Sequence, residues 1–267
     1  MHATQRAGAV NMANGIEPGM ETAVGRTRTS DVASQTARAL VSVRELLLRG
    51  EFTPGERVSE LPLVARLGVS RTPIRLALER LANIGLLDVS ASGGFTVRGF
   101  TASEALDAIE IRGVLEGTAA RLAAERLTDT SELEGLKRRC KEMDDLERLS
   151  LDSFASYMDM NEAFHATMVD LAKSPMLRRT MLQAVSLPFA SPSAMVSPTS
   201  GMAIADETLA IAKEHHRGIV DAIARRQGTR AESLAREHAC IARRIFEMSL
   251  SDSVTLSRVP GASLINV

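Results

Sequence analysis

Aromatic side chains are scarce in this sequence: 3% of 267 residues, with no tryptophan and one tyrosine. Any ligand pocket must therefore be lined without stacking surfaces, and the twelve methionines make it deformable, which argues against a large planar ligand. Cysteine is scarce too. Cys140 and Cys240 stand 100 positions apart, which gives neither a disulfide framework nor a cysteine-rich zinc site. A reducing cytoplasm suits such a chain. No run approaches the ~20 consecutive apolar residues of a membrane span. Net charge is nearly absent, with 32 Lys+Arg against 33 Asp+Glu, so the whole chain does not advertise a polyanionic partner. No HExxH, GxSxG or Walker A motif occurs, so no recognised catalytic constellation is present. What remains is 45% hydrophobic, enough to exclude a wholly disordered chain and to fill one large or two modest domains.

The near-zero charge hides a division. From Asp31 to Arg98 there are nine Arg, no Lys and seven acids; from Gly99 onward there are 20 basic and 24 acidic residues. A mildly basic front and an acidic back suggest different partners for the two parts. Residues 1–30, with four glycines, a proline and no periodicity, read as a disordered tail. Residues 31–100 read as helix, helix, tight turn, helix and hairpin. Ala39, Leu40, Val43 and Leu47 set the first helix. Ser59 and Ser70 are expected N-caps of the next two, with Gly68 as the stop between them. Leu86–Val89 and Phe95–Arg98 are expected strands joined across Gly93-Gly94.

Residues 101–250 read as an antiparallel all-α bundle. Its helices are expected at Ser103–Leu127, Ser131–Leu149, Leu151–Lys173, Pro175–Val185, Ala205–Arg226 and Arg230–Leu250. Leu187–Gly201, with three prolines and four serines, is a loop or helix break. Thr229 and Glu232 fit a capping box at the start of the last helix. Residues 251–267 read as a flexible tail. The fold class is thus mainly α, a winged helix-turn-helix followed by a helical bundle.

In the front part, Gly68 and Ser70 supply the sharp turn of a helix-turn-helix, and the helix that follows projects its first residues. Arg71 and Arg75 lie four residues apart on one face with Thr72 beside them, while Ile74, Ala77, Leu78 and Leu81 face the core. Two arginines there can be plain solvated residues of an amphipathic helix. The appended hairpin tips the reading toward DNA, because helix-turn-helix plus hairpin makes a winged helix. A helix N-terminus favours phosphate, and an arginine can bond a guanine edge with two hydrogen bonds.

In the back part, three helices each carry one histidine on an apolar face. His165 lies with Met158, Asn161, Met168 and Ala172; His216 with Leu209, Ile219 and Ile223; His238 with Leu234, Ile241 and Ile245. Met158 and Met168 are core packing. His215, rotated by about 100°, belongs at the rim. An inward imidazole needs a hydrogen-bond partner or a metal. Each alone reads as a satisfied core histidine; three together, with Asn161 one turn before His165, suggest a divalent ion such as zinc or nickel.

The run Leu67-Gly-Val-Ser-Arg-Thr-Pro-Ile-Arg75, then Ala77-Leu78, Arg80-Leu81 and Gly85-Leu86, resembles the DNA-binding signature of the GntR family of bacterial transcription regulators. Leu46-Leu47, Pro54-Gly55 and Val58-Ser59-Glu60 fit the same pattern. The resemblance implies DNA contacts at Ser70, Arg71, Thr72 and Arg75, with a wing at Gly93-Gly94 entering the minor groove. Two departures bear on base preference: Leu76 stands where many members carry Glu, and Leu61 and Ala91 stand where some carry an extra Arg or Lys. Asn161-Glu-Ala-Phe-His165, His216-Arg-Gly-Ile-Val-Asp-Ala222, His238 and Ile111-Arg-Gly-Val-Leu-Glu116 are similar to the FCD-type ligand-binding domain of the same regulators. In many members an Asp four residues before the first His completes an Asp/His3 metal site under the effector pocket. Here that residue is Asn161, an uncharged and weaker ligand.

Small carboxylate effectors are implied, with Arg112 as the candidate partner of the carboxylate; an i,i+4 ion pair with Glu116 is its alternative role. The expected whole is a cytoplasmic homodimer on a palindromic double-stranded DNA operator, with no membrane association and no enzymatic activity. A metal-dependent enzyme and a dedicated metal sensor built on the Asn/His3 cluster are the rival readings.

Overall fold

A computed structural model describes residues 23–91, 93–146, 151–192, 202–259 and 261–266. Helix α1 (Ala23–Leu48) begins seven residues before the expected end of the tail at residue 30. The stretch 23–30 has no proline to block a helix. Once Ala39, Val43, Leu46 and Leu47 pack, upstream turns add without a new nucleation step. Positions 1–22 of the expected tail lie outside the described residues.

Strand β1 (Arg57–Val58) leads into α2 (Glu60–Leu67), which ends on Gly68 in the left-handed region (φ 63°). The Gly68 N–H donates to Val64 O at 3.1 Å, and α3 (Arg71–Asn83) starts three residues on. Ser59 and Ser70 occupy the N-cap positions in extended conformation, but neither side chain makes the cap hydrogen bond. The α3 face Ile74, Ala77, Leu78 and Leu81 is fully buried against α1. Each such large apolar residue stabilises the small core by about 1.5–3 kcal/mol. Strands β2 (Leu87–Val89) and β3 (Phe95–Val97) form the hairpin, with β1 adding on the far side of β3 in the antiparallel order β1-β3-β2. The strand β1, two residues long, has too little pattern to be visible in sequence.

Strand β4 (Phe100–Thr101) joins the halves. Helix α4 (Ala102–Arg126) follows from a capping box in which the Thr101 hydroxyl accepts from Glu104 N and the Glu104 carboxylate accepts from Thr101 N. The bundle continues with α5 (Glu134–Asp144), α6 (Leu151–Leu171), α7 (Pro175–Ala184), α8 (Met202–Ala224) and α9 (Gly228–Leu250). Two expectations are corrected. The helix expected from Ser131 to Leu149 is a short 3-10 turn, Thr130–Leu133, capped by Asp129, and then α5; positions 147–150 lie outside the described residues. The capping box expected at Thr229 is absent, because α9 already starts at Gly228 behind Gln227. Glu232 instead pairs with Arg121 at 3.0 Å. The expected break at Leu187–Gly201 holds a 3-10 turn, Pro188–Ala190, and its remainder, 193–201, lies outside the described residues.

Helix α4 is central and packs along α9. Gly113 and Gly117 make that approach possible: a Cβ on Gly113 would lie 2.8 Å from Ala239 Cβ, and one on Gly117 2.6 Å from Arg236 Cγ. The expected flexible tail 251–267 is the largest correction. Asp252 caps a short helix α10 (Ser253–Leu256), and the chain runs on to β5 (Ile265–Asn266), which pairs in parallel with β4. Leu256, Val259, Leu264 and Ile265 are buried in the core of the front domain. Leu264 and Ile265 meet α1 and β4, more than 150 residues upstream, so no local periodicity announces them.

Candidate nucleic-acid interface and histidine site

The turn at Gly68 and the extended Ser70 aim the first turn of α3 outward. Ser70, Arg71, Thr72 and Arg75 are all exposed, with the Arg71 and Arg75 side chains 69% and 56% accessible. Gly93 has φ +79° at the exposed hairpin tip, where Ser90 N donates to Gly94 O at 2.8 Å and Gly94 N to Ser90 Oγ at 3.0 Å. A cleft of about 590 Å³ lies between helix and hairpin, lined by Arg57, Arg71, Arg75, Gly93 and Gly94 among others. Leu61 also lines it and is 69% exposed.

Two residues here escaped the sequence reading. Arg57 lies along the hairpin tip, its Nη2 3.1 Å from where a Cβ on Gly94 would stand. Glu60 holds the pair of arginines, accepting from Arg71 Nε and lying 3.8 Å from Arg75 Nη1. Arg75 Nε also donates to Glu79 at 3.2 Å. Solvent-facing ion pairs of this kind are worth about 0–1 kcal/mol, so a phosphate can displace them.

In the bundle, His165 (α6), His216 (α8) and His238 (α9) converge. One ring nitrogen from each lies within 4.8 Å of those of the other two. His216 Nε2 and His238 Nε2 are 3.1 Å apart, and all three rings are buried. Burial first, and then the neighbouring imidazoles, hold His216 and His238 well below the usual histidine range. They are therefore neutral at pH 7, the form that binds metals. His165 Nε2 and the Nδ1 atoms of His216 and His238 are buried with no hydrogen-bond partner. Buried polar atoms left unpaired are costly, and a divalent cation would take one nitrogen from each of the three rings. His215 stands at the rim, half-buried, its ring 6.0 Å from that of His238.

Asn161 is buried one turn before His165 and donates its amide N–H to Pro192 O at 3.0 Å. Arg112 takes up its alternative role: it is buried with Nε 3.7 Å from Glu116 Oε1, and its Nη1 donates to Ala190 O (3.3 Å) and Ser191 O (2.8 Å). Glu116, seen in sequence only as the partner of Arg112, is the residue missed here. Its Oε1 lies 3.0 Å from His165 Nδ1. Burial pushes the Glu116 carboxyl up, but facing His165 and Arg112 outweigh this and bring it down to about 2. A carboxylate behind a ligating imidazole orients the ring and strengthens the ligand.

A cavity of about 140 Å³ opens beside this group between α6 and α7. Glu116 and His165 line it together with Val169, Met181, Val185 and Pro192. Arg178, also on its wall, pairs with Asp170 at 2.8 Å.

A winged helix joined to an all-helical domain with a buried histidine centre is the build of a two-domain bacterial regulator. A family model described as bacterial regulatory proteins, gntR family, matches residues 35–97, and one described as FCD domain matches residues 107–239. The "Nta operon transcriptional regulator" of Aminobacter aminovorans is 38% identical over 130 residues, 49% of this chain and 60% of the relative. The "Probable D-xylose utilization operon transcriptional repressor" of Paenarthrobacter nicotinovorans is 33% identical over 198 residues, 74% of this chain and 80% of the relative. The first curated relatives matched are thus spanned over about three-fifths of their length. The solved structure of E. coli McbR/YncC shares the fold, with a TM-score of 0.60 at 20% identity over 81% of this chain and 98% of that one. The chain belongs to the GntR family of bacterial regulatory proteins and carries an FCD domain. The gntR model is described as bacterial regulatory proteins and both named relatives are transcriptional regulators, which favours the regulator reading over the metalloenzyme one. Among the described residues no helix is long and apolar enough to cross a membrane.

Proposed function

We propose that this protein is a cytoplasmic transcription regulator that binds a palindromic operator as a homodimer, under the control of a small carboxylate held beside a divalent metal. The observation that carries this reading is the combination, in one chain, of two exposed arginines at the start of α3 with three buried imidazoles converging in the bundle. Ser70, Arg71, Thr72 and Arg75 meet the major groove, and Gly93-Gly94 lets the wing backbone approach the minor groove. Arg57 supplies the wing cation that Leu61 and Ala91 do not. Exposed Ile111 and Val114 on α4 offer apolar surface for a second copy to cover.

His165, His216, His238 and the Asn161 amide oxygen would hold the metal, zinc or nickel by ligand type. When bound, that ion supplies a cation whose open position a carboxylate can fill. Glu116 fixes His165 from behind. Arg112 is spent on Glu116 and two backbone carbonyls rather than gripping the effector. A dry cavity of about 150 Å³ accommodates a molecule the size of benzene. The 140 Å³ cleft, walled by Val169, Met181 and Val185, accordingly suits a short aliphatic acid with a single charged head.

The test is selection of duplex DNA from a random pool on the purified chain, followed by binding titrations with zinc, with zinc plus short organic acids, and with chelator. Arg71→Ala or Arg75→Ala is expected to cost about 1–3 kcal/mol of specific affinity with helical content unchanged. Wild-type affinity in either variant would refute the role given to α3. Zinc acting alone, with no acid adding to it, would favour the dedicated metal sensor.

A further inference from the structure

Between the histidine site and the winged domain runs one short segment, residues 186–192, and both sides hold it by its backbone. From the bundle, Asn161 Nδ2 donates to Pro192 O at 3.0 Å, and Arg112 Nη1 donates to Ser191 O at 2.8 Å and Ala190 O at 3.3 Å. Pro192 and Val185, which bracket the segment, line the same cavity as His165 and Glu116. From the front domain, Arg44 on α1 donates through Nη2 to Ser186 O at 3.2 Å. In the middle, buried Phe189 meets Phe100 of β4 edge to face, with ring centroids 5.0 Å apart. Phe100 belongs to the two-residue strand that joins the domains.

The residue at 161 is informative in this light. A carbonyl oxygen accepts but cannot donate, so only an amide N–H can meet Pro192 O. An ionised aspartate at that position would face the carbonyl with like partial charge and lose the contact. Asparagine can offer its oxygen to a cation in the site and, with the same planar amide, hold Pro192. Ordering the oxygen therefore orders the nitrogen. Glu162, the next residue, is the carboxylate whose charge bears on Arg44.

We propose that residues 186–192 transmit the state of the histidine site to the winged domain, with Asn161 as the input grip and Phe189 and Arg44 as the outputs. The inference rests on the metal-site reading. It adds a specific role for the amide at position 161, and it requires that the two occupancy states hold the segment differently.

Hydrogen–deuterium exchange of the full chain, with and without zinc and read peptide by peptide, tests this without knowledge of operator or effector. In the wild type, zinc is expected to slow exchange around His165, His216 and His238, across 186–192, at 99–101 and on α1 around Arg44. Asn161→Asp is expected to bind zinc at least as tightly by chelator competition, yet to lose the zinc-induced slowing at 186–192 and 99–101. Arg44→Ala is expected to leave zinc affinity unchanged and to lose the response of α1. Phe189→Leu, which keeps the core filled, is expected to weaken the response at 99–101. Slowing at the histidines with no change at 99–101 in the wild type, or a full remote response in Asn161→Asp, would overturn the relay alone. No slowing at the histidines would overturn the metal reading and the relay together.

Discussion

Glu60 shows how one residue can restrain the side chains that are to meet DNA. At the start of α2, with its side chain only 15% exposed, it faces both Arg71 and Arg75. Binding DNA means exchanging this carboxylate for phosphate or a base edge, and the difference between the two contacts sets how readily the arginines leave. Glu60→Gln removes the competing charge. Arbitrary duplex is then expected to bind about 5-fold more tightly at low salt, equivalent to ~1 kcal/mol, while discrimination for the selected sequence falls. Fluorescence anisotropy over a salt series checks this; unchanged non-specific affinity would mean that Glu60 only positions the arginines. Arg71 and Arg75 were legible because their spacing and the Gly68 stop are local. Glu60 was not, since its partners lie 11 and 15 residues away across a turn. Glu116 was legible only as the i,i+4 neighbour of Arg112, because its contact with His165 joins two helices.

At the level of elements, α4 and α9 depend on two glycines. The Cα of Gly113 lies against Ala239, the residue after His238. Gly113→Ala is expected to push α9 outward, costing about 1–3 kcal/mol from overpacking. The zinc affinity of the histidine site should fall as His238 retreats. Urea unfolding and zinc titration on the same samples check both parts; lost stability with unchanged zinc binding would show that α9 yields without moving His238. Periodicity located the long helices well, because a buried stripe at 3.6-residue spacing is a repeated signal. Helix starts were harder to read. The motif Thr229–Glu232 has the capping pattern, yet Gly228 opens the helix earlier and Arg121 takes Glu232, whereas the capping box at Thr101–Glu104 was overlooked. A cap is a choice between local hydrogen bonds and competing partners, and only the folded surroundings decide it. Three convergent histidines, by contrast, were readable as three separate inward faces.

For the whole molecule, the decisive contacts are those that cross between domains. Leu264 is completely buried against the front-domain core, next to the strand that pairs with Phe100–Thr101. Leu264→Ala is expected to cost about 2–5 kcal/mol by the usual penalty for emptying a buried leucine site. The loss should fall on the front domain, so differential scanning calorimetry is expected to show the winged domain melting earlier than the bundle. A single transition shifted as a unit would mean the halves unfold together. Residues 251–267 looked like a loose end because their hydrophobic residues show no period, and they become ordered only by fitting a surface made by distant sequence.

Because β5 lies beside β4, a strand that follows the whole bundle in sequence is stitched into the joint between the two halves. The seat of the winged domain thus includes Ile265 and Asn266, which lie far along the chain from the strand they pair with. A cut anywhere between α9 and Ile265 would unfasten that joint and strip Leu264 and Ile265 from the core beneath the wing.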